Sequence, residues 1–137
     1  MGMYTELVLS CNIYNDTEVV NVLKYMCDNT QPYPEKLPDH PLFVEDGRWQ
    51  YMFRCSSFYH VPRSHASIEY EEISDKYTLI VRSDFKNYND EIVKFVDWIT
   101  PYVYTHGNEK QMIGYSRYEE DDEPEILYVP LNSRDDE

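Results

Sequence analysis

The chain has 137 residues, of which 42% are hydrophobic and 15% aromatic, Tyr alone supplying 14, and this excludes a disordered chain and leaves room for one core without metal or disulfide staples. With 26 acidic against 12 basic side chains the net charge is −14, which disfavours direct binding to nucleic acid or to an anionic membrane and favours a partner with a basic surface. The acid is uneven: residues 118–137 carry nine carboxylates and one Arg.

Residues 4–13, YTELVLSCNI, alternate with Leu7, Leu9, Cys11 and Ile13 on one face and predict a strand. An amphipathic helix follows, with Asn15 or Asp16 as its cap, Glu18 at capping-box distance from Asn15, and Val19, Val22, Leu23 and Met26 on one stripe. Residues 28–47 hold four prolines, which remove backbone donors and predict a loop without regular structure, long enough to be either functional or mobile.

Alternation resumes in residues 49–59, WQYMFRCSSFY, with Trp49, Tyr51, Phe53 and Cys55 on one face, and predicts a second strand. SIEYEEI and YTLIVRSDF then flank the turn Ser74-Asp75-Lys76 as a hairpin. NYNDEIVKFVDWITP repeats the helix signature, capped by Asn87 or Asn89, with Ile92, Phe95, Val96 and Ile99 inward and Pro101 near its end. QMIGYSRYE and EILYVP form the last two strands, joined at YEEDDEPE. Five adjacent carboxylates repel one another, so this stretch belongs at a solvated hairpin tip.

The order β-α-β-β-β-α-β-β predicts a single α+β domain over residues 1–137, a largely antiparallel sheet with two helices on one face, ferredoxin-like or related. Residues 131–137 read as an acidic, disordered tail. No apolar run has the length of a signal peptide or a membrane span, so the expected location is the cytoplasm.

Candidate chemistry is sparse. Cys11, Cys27 and Cys55 sit in apolar segments and read as reduced, buried thiols. His60 and His65, with Cys55 or His40, match no zinc spacing, and residues 119–123 lack the alternating ligands and central Gly of a calcium loop, so no metal is expected. Cys55-Ser56-Ser57 with His60 supplies the letters of a nucleophilic site without its glycine-rich elbow, and four Gly are too few for a phosphate cradle. No cofactor is expected.

Tyr is the more informative residue, because it gives rigid contact area at small entropic cost. Tyr70, Tyr115, Tyr118 and Tyr128, placed on the outward face of the sheet, join Glu69, Glu71, Glu72 and the hairpin acids in an acidic, aromatic surface. The candidate partner-binding set is Glu119, Glu120, Asp121, Asp122, Glu123, Glu125, Tyr115, Tyr118, Tyr70 and Glu71.

MYTEL, TEVVNVLKYM, WQYMFRCSSFY and FKNYNDEIVKFVDWITPY together resemble a widespread group of small phage and prophage proteins, over most of residues 3–104. The resemblance rests on structural residues and brings no catalytic motif with it. It implies a mobile-element origin, and with it a non-enzymatic inhibitor of a host or antiviral-defence protein, with carboxylate rows standing in for phosphates as in a nucleic-acid mimic. Two alternatives stand beside this reading: self-association through an exposed sheet edge, and a small enzyme built on Tyr59, His60, Arg63 and His65.

Overall fold

The computed structural model describes residues 4–43, 47–55, 63–86, 90–105 and 110–130. Its elements run β1 Thr5–Tyr14, α1 Thr17–Cys27, β2 His65–Glu71, β3 Lys76–Phe85, α2 Glu91–Ile99, β4 Val103–Tyr104, β5 Gln111–Tyr118 and β6 Glu125–Val129. The sheet has the order β2-β3-β1-β5-β6, all neighbours antiparallel, with β4 also on β1. This is the ferredoxin-like arrangement extended by one edge strand, so the expected α+β class holds.

β4 and β5 together form one interrupted strand. Between the pairs Leu9↔Gly114 and Asn12↔Tyr104, β1 advances three residues while its partner runs through ten.

The alternation of β1 decides which face is inside. Leu7, Leu9, Cys11 and Ile13 are buried, and their cross-strand partners Ser83, Val81, Leu79 and Tyr77 share their face. Val19, Val22, Leu23 and Met26 of α1 and Ile92, Phe95, Trp98 and Ile99 of α2 belong to the same cluster, which places both helices on that one face. Asp16 caps α1 by accepting from Val19 N, so the Asn15 capping box does not form. The cap position of α2 is Asp90, left-handed at φ 57° and without a side-chain capping bond; Asn87 and Asn89 lie outside the described residues.

The predicted strand over 49–59 is corrected. Arg48–Tyr51 is a 3-10 turn running into a second hydrogen-bonded turn over 52–54, and Ser56 to Tyr59 lie outside the described residues. Trp49, Met52 and Phe53 are buried whereas Tyr51 is 53% exposed, so the segment follows helical i, i+3, i+4 spacing rather than alternation. The proline-rich segment is likewise tied down near its described end at Phe43. A 3-10 turn at Pro41–Phe43 buries Leu42 and Phe43, and the Phe43 ring packs edge-on against Trp49 and Trp98 at 5.0 and 4.9 Å. The expected tail, 131–137, lies outside the described residues.

The turn after β2 holds its own carboxylates low. Glu71 accepts from Ser74 N and Ile73 N, and Asp75, left-handed at φ 56°, accepts from the Tyr70 hydroxyl and the Asn15 amide. The backbone donors, Ser74 first, keep Glu71 below its usual range, and Tyr70, then Asn15, do the same for Asp75. Both groups are more acidic folded than unfolded. Their stabilisation is therefore complete above the unfolded-state values and is lost as pH falls through the folded ones. Tm followed by circular dichroism is expected to decline below about pH 4.5, and less steeply for Glu71→Gln combined with Asp75→Asn; equal slopes for variant and wild type would remove this turn as a source of the acid sensitivity.

Candidate functional site

The β5–β6 hairpin carries the acidic run as expected, with residues 119–124 in the loop and Glu125 opening β6. Glu120, Asp121, Asp122 and Glu123 are all exposed. Glu119 has a different role: its N–H donates to Tyr4 O at 3.0 Å, while its Oε1 accepts from Tyr4 N at 2.5 Å. This two-way clamp joins the hairpin to the start of the central strand. Asp121 N closes the loop onto Tyr118 O at 2.9 Å. The four outer carboxylates thus stand on a fixed base.

Tyr118 reports the field of that loop. Partial desolvation, then the carboxylates of Glu120, Glu119 and Asp121, push its phenol above the usual value, so its hydroxyl stays a neutral donor beside the acids.

The tyrosines expected beside the hairpin do not form one surface. Tyr118 pairs with Thr5 and Tyr70 with Tyr77, which places both on the helix side of the sheet, at its margins. Tyr115 pairs with Val8 and Ile126, on the opposite, open face, and Tyr128 shares that face across from Met112. Tyr70 and Glu71 sit where β1 ends at Tyr14, whereas the acidic loop sits where β1 begins at Thr5, and β2 and β6 are opposite edges. Nine residue steps along the ten-residue β1, roughly 30 Å, separate the two ends. Tyr70 and Glu71 are moreover engaged in their own turn, and hydrogen bonding to Asp75, the largest influence, raises the Tyr70 phenol to about 12.

The alternative chemistries meet physical obstacles of their own. Burial raises the Cys11 and Cys27 thiols to about 12 and lifts that of Cys55, so all three disfavour the nucleophilic thiolate. His40 has both ring nitrogens engaged: Nδ1 accepts from Leu42 N at 3.1 Å, which leaves Nε2 to donate to Asp97 Oδ2 at 2.8 Å. It pins the proline-rich segment to α2. Tyr59 and His60 lie outside the described residues, and His65 stands exposed on β2 opposite Arg82. Among the described residues no group of three or more His, Cys, Asp or Glu converges as metal ligands do, and no helix is long and apolar enough to cross a membrane.

Comparisons with protein-family models, with curated proteins and with solved structures find no match. Geometry and charge therefore carry the functional argument.

One expected result concerns the loop itself. Replacing Glu120, Asp121, Asp122 and Glu123 by Gln, Asn, Asn and Gln is expected to leave Tm unchanged or slightly raised, because it relieves like-charge repulsion and touches no hydrogen bond of the clamp. Glu119→Ala removes the acceptor for Tyr4 N and is expected to lower stability by about 1 kcal/mol. Thermal melts of the two proteins, compared side by side, check this asymmetry.

Proposed function

We propose that the protein is a non-enzymatic binding protein that engages a basic surface of another protein through the loop of the β5–β6 hairpin. The observation that carries the reading is the Glu119–Tyr4 clamp, which presents four exposed carboxylates from a rigid support. Preorganised charge of this kind lowers the entropy lost on binding and speeds encounter with an oppositely charged partner. Tyr118 beside the acids supplies a flat ring and a hydroxyl donor at the rim. The resemblance to small phage and prophage proteins supports the finer reading, in which the partner is a host or antiviral-defence protein and the carboxylate row occupies a groove meant for phosphates.

Affinity capture from host lysate tests this, with nuclease treatment, using wild type and the Glu120→Gln, Asp121→Asn, Asp122→Asn, Glu123→Gln form. A single protein retained by wild type, lost by the neutralised form and released as salt rises is the expected result. Equal retention by both forms would reduce the hairpin to a solvated turn.

A further inference from the structure

The sheet face turned away from the helices carries a contiguous apolar strip. Val8, Tyr115 and Ile126 stand side by side across β1, β5 and β6. Ile80 on β3 flanks Val8 diagonally, and Met112 pairs with Tyr128 on the far side. Ile80 is 43%, Met112 56%, Ile126 38% and Tyr128 43% exposed. Single exposed apolar residues are ordinary, but a strip across four strands marks an interaction surface.

Charge decides what fits it. The protein as a whole carries −14. Yet among the described residues the open face holds four carboxylates, Glu6, Glu69, Glu71 and Asp84, the first and last of them buried, against five cations, Lys76, Arg82, Lys86, Lys110 and Arg117. It is close to neutral, on an acidic molecule. A basic protein gains no attraction there, and nucleic acid needs an excess of cations. Two copies of this chain, in contrast, can meet at this face with their acidic loops outside the contact.

We infer that the protein forms a two-fold dimer through this open sheet face, with the Ile80, Val8, Tyr115, Ile126 and Met112–Tyr128 strip at its centre. With the axis along β1, β3 of one copy lies over β5 of the other. Arg82 is then set over the Tyr115 ring of the second copy, a cation–π geometry, and Ile80 over its Met112. Five strands about 4.8 Å apart, with lengths between those of β6 and β1, make a face of roughly 600 Å², at the small end beside the ~800 Å² per partner of a standard interface. The same arrangement leaves the loop 119–124 beyond the end of the strip, open to a different partner.

Sedimentation equilibrium of the full chain across a wide concentration range tests the inference, with far-UV circular dichroism to confirm folding. Wild type is expected at twice the 16.5 kDa chain mass, with association unchanged or strengthened by salt, since screening weakens repulsion between like-charged copies. Ile80→Asp, Ile126→Asp and Met112→Lys, all at exposed positions, are expected to weaken dimerisation at least thirtyfold, on the order of an interface hot spot, with folded spectra. Val93→Asp, on the exposed side of α2, and the neutralised hairpin form are expected to remain dimeric. A wild type that stays monomeric throughout, or a dimer that survives all three face variants, would overturn the proposal; the latter would place the contact at a sheet edge instead. Single-stranded nucleic acid bound by a monomeric wild type and lost with Ile126→Asp would overturn it in favour of base stacking on Tyr115 and Tyr128.

Discussion

Gly114→Ala is expected to lower stability by about 3–5 kcal/mol, a large share of the ~5–15 kcal/mol typical of a folded domain. Gly114 lies at the irregularity in the β5–β6 register, with φ at +156°, and faces Leu9 of the central strand. A Cβ built there would stand 1.9 Å from Val8 O, 2.8 Å from Val8 C and 3.0 Å from Leu9 Cα. All three are backbone atoms of β1, held between β3 and β5, so no side-chain rotation relieves the overlap. The outcome is read from the urea midpoint, or from the loss of soluble protein. An alanine variant with a wild-type midpoint would mean that β1 and β5 are not so close.

The second large effect belongs to Trp49. Its side chain is 1% exposed, and its ring lies 5.0 Å from Phe43, 6.1 Å from Tyr25 and 6.3 Å from Tyr33. It thereby fastens the proline-rich segment and α1 to the core. Trp49→Ala is expected to cost about 3–5 kcal/mol and to lower Tm by ten degrees or more, a loss of roughly 3–5 °C per kcal/mol at this length. Tyr51→Ala, at a ring 53% exposed, is expected to change stability by no more than about 0.5 kcal/mol. The contrast is diagnostic, because an alternating strand would place Trp49 and Tyr51 on one face and make the two substitutions similar. Comparable losses for both would refute the 3-10 turn at Arg48–Tyr51.

The same segment shows where local pattern stops being informative. WQYMFRC satisfies alternation through Trp49, Tyr51 and Phe53, and helical spacing through Trp49, Met52 and Phe53. Over seven residues the two periods share too many positions to be separated. The choice is made from outside, by Phe43, Trp98 and Phe95, whose rings enclose one set of side chains and leave Tyr51 in solvent. Arg48 contributes as well: its Nε reaches Glu91 Oε2 at 2.9 Å and its guanidinium donates to Lys86 O, so the turn is anchored to the start of α2. Glu91 is one of few buried carboxylates, and its partner lies 43 positions away. Nothing near Glu91 in the chain announces that pairing.

The candidate site divides in a similar way. That 118–125 must form a solvated hairpin tip follows from its own charges, since adjacent carboxylates cannot be desolvated together. That Glu119 is an anchor while Glu120 to Glu123 are free to meet a partner depends on Tyr4, more than a hundred residues earlier. Composition groups Tyr70 and Glu71 with the hairpin, but strand order places them at diagonal corners.

By itself the sequence determined the two helix stripes, the alternating strands of β1, β3, β5 and β6, the acidic pole and the α+β class, because each of these follows from periodicity or repulsion within a few residues. Only the tertiary structure decided the pairing of β1 with β3 and β5, the turn at Trp49, the clamp on Glu119 and the neutral apolar face. Those depend on which distant segments are brought into register, and a strand shows the same alternation whichever neighbour it pairs with.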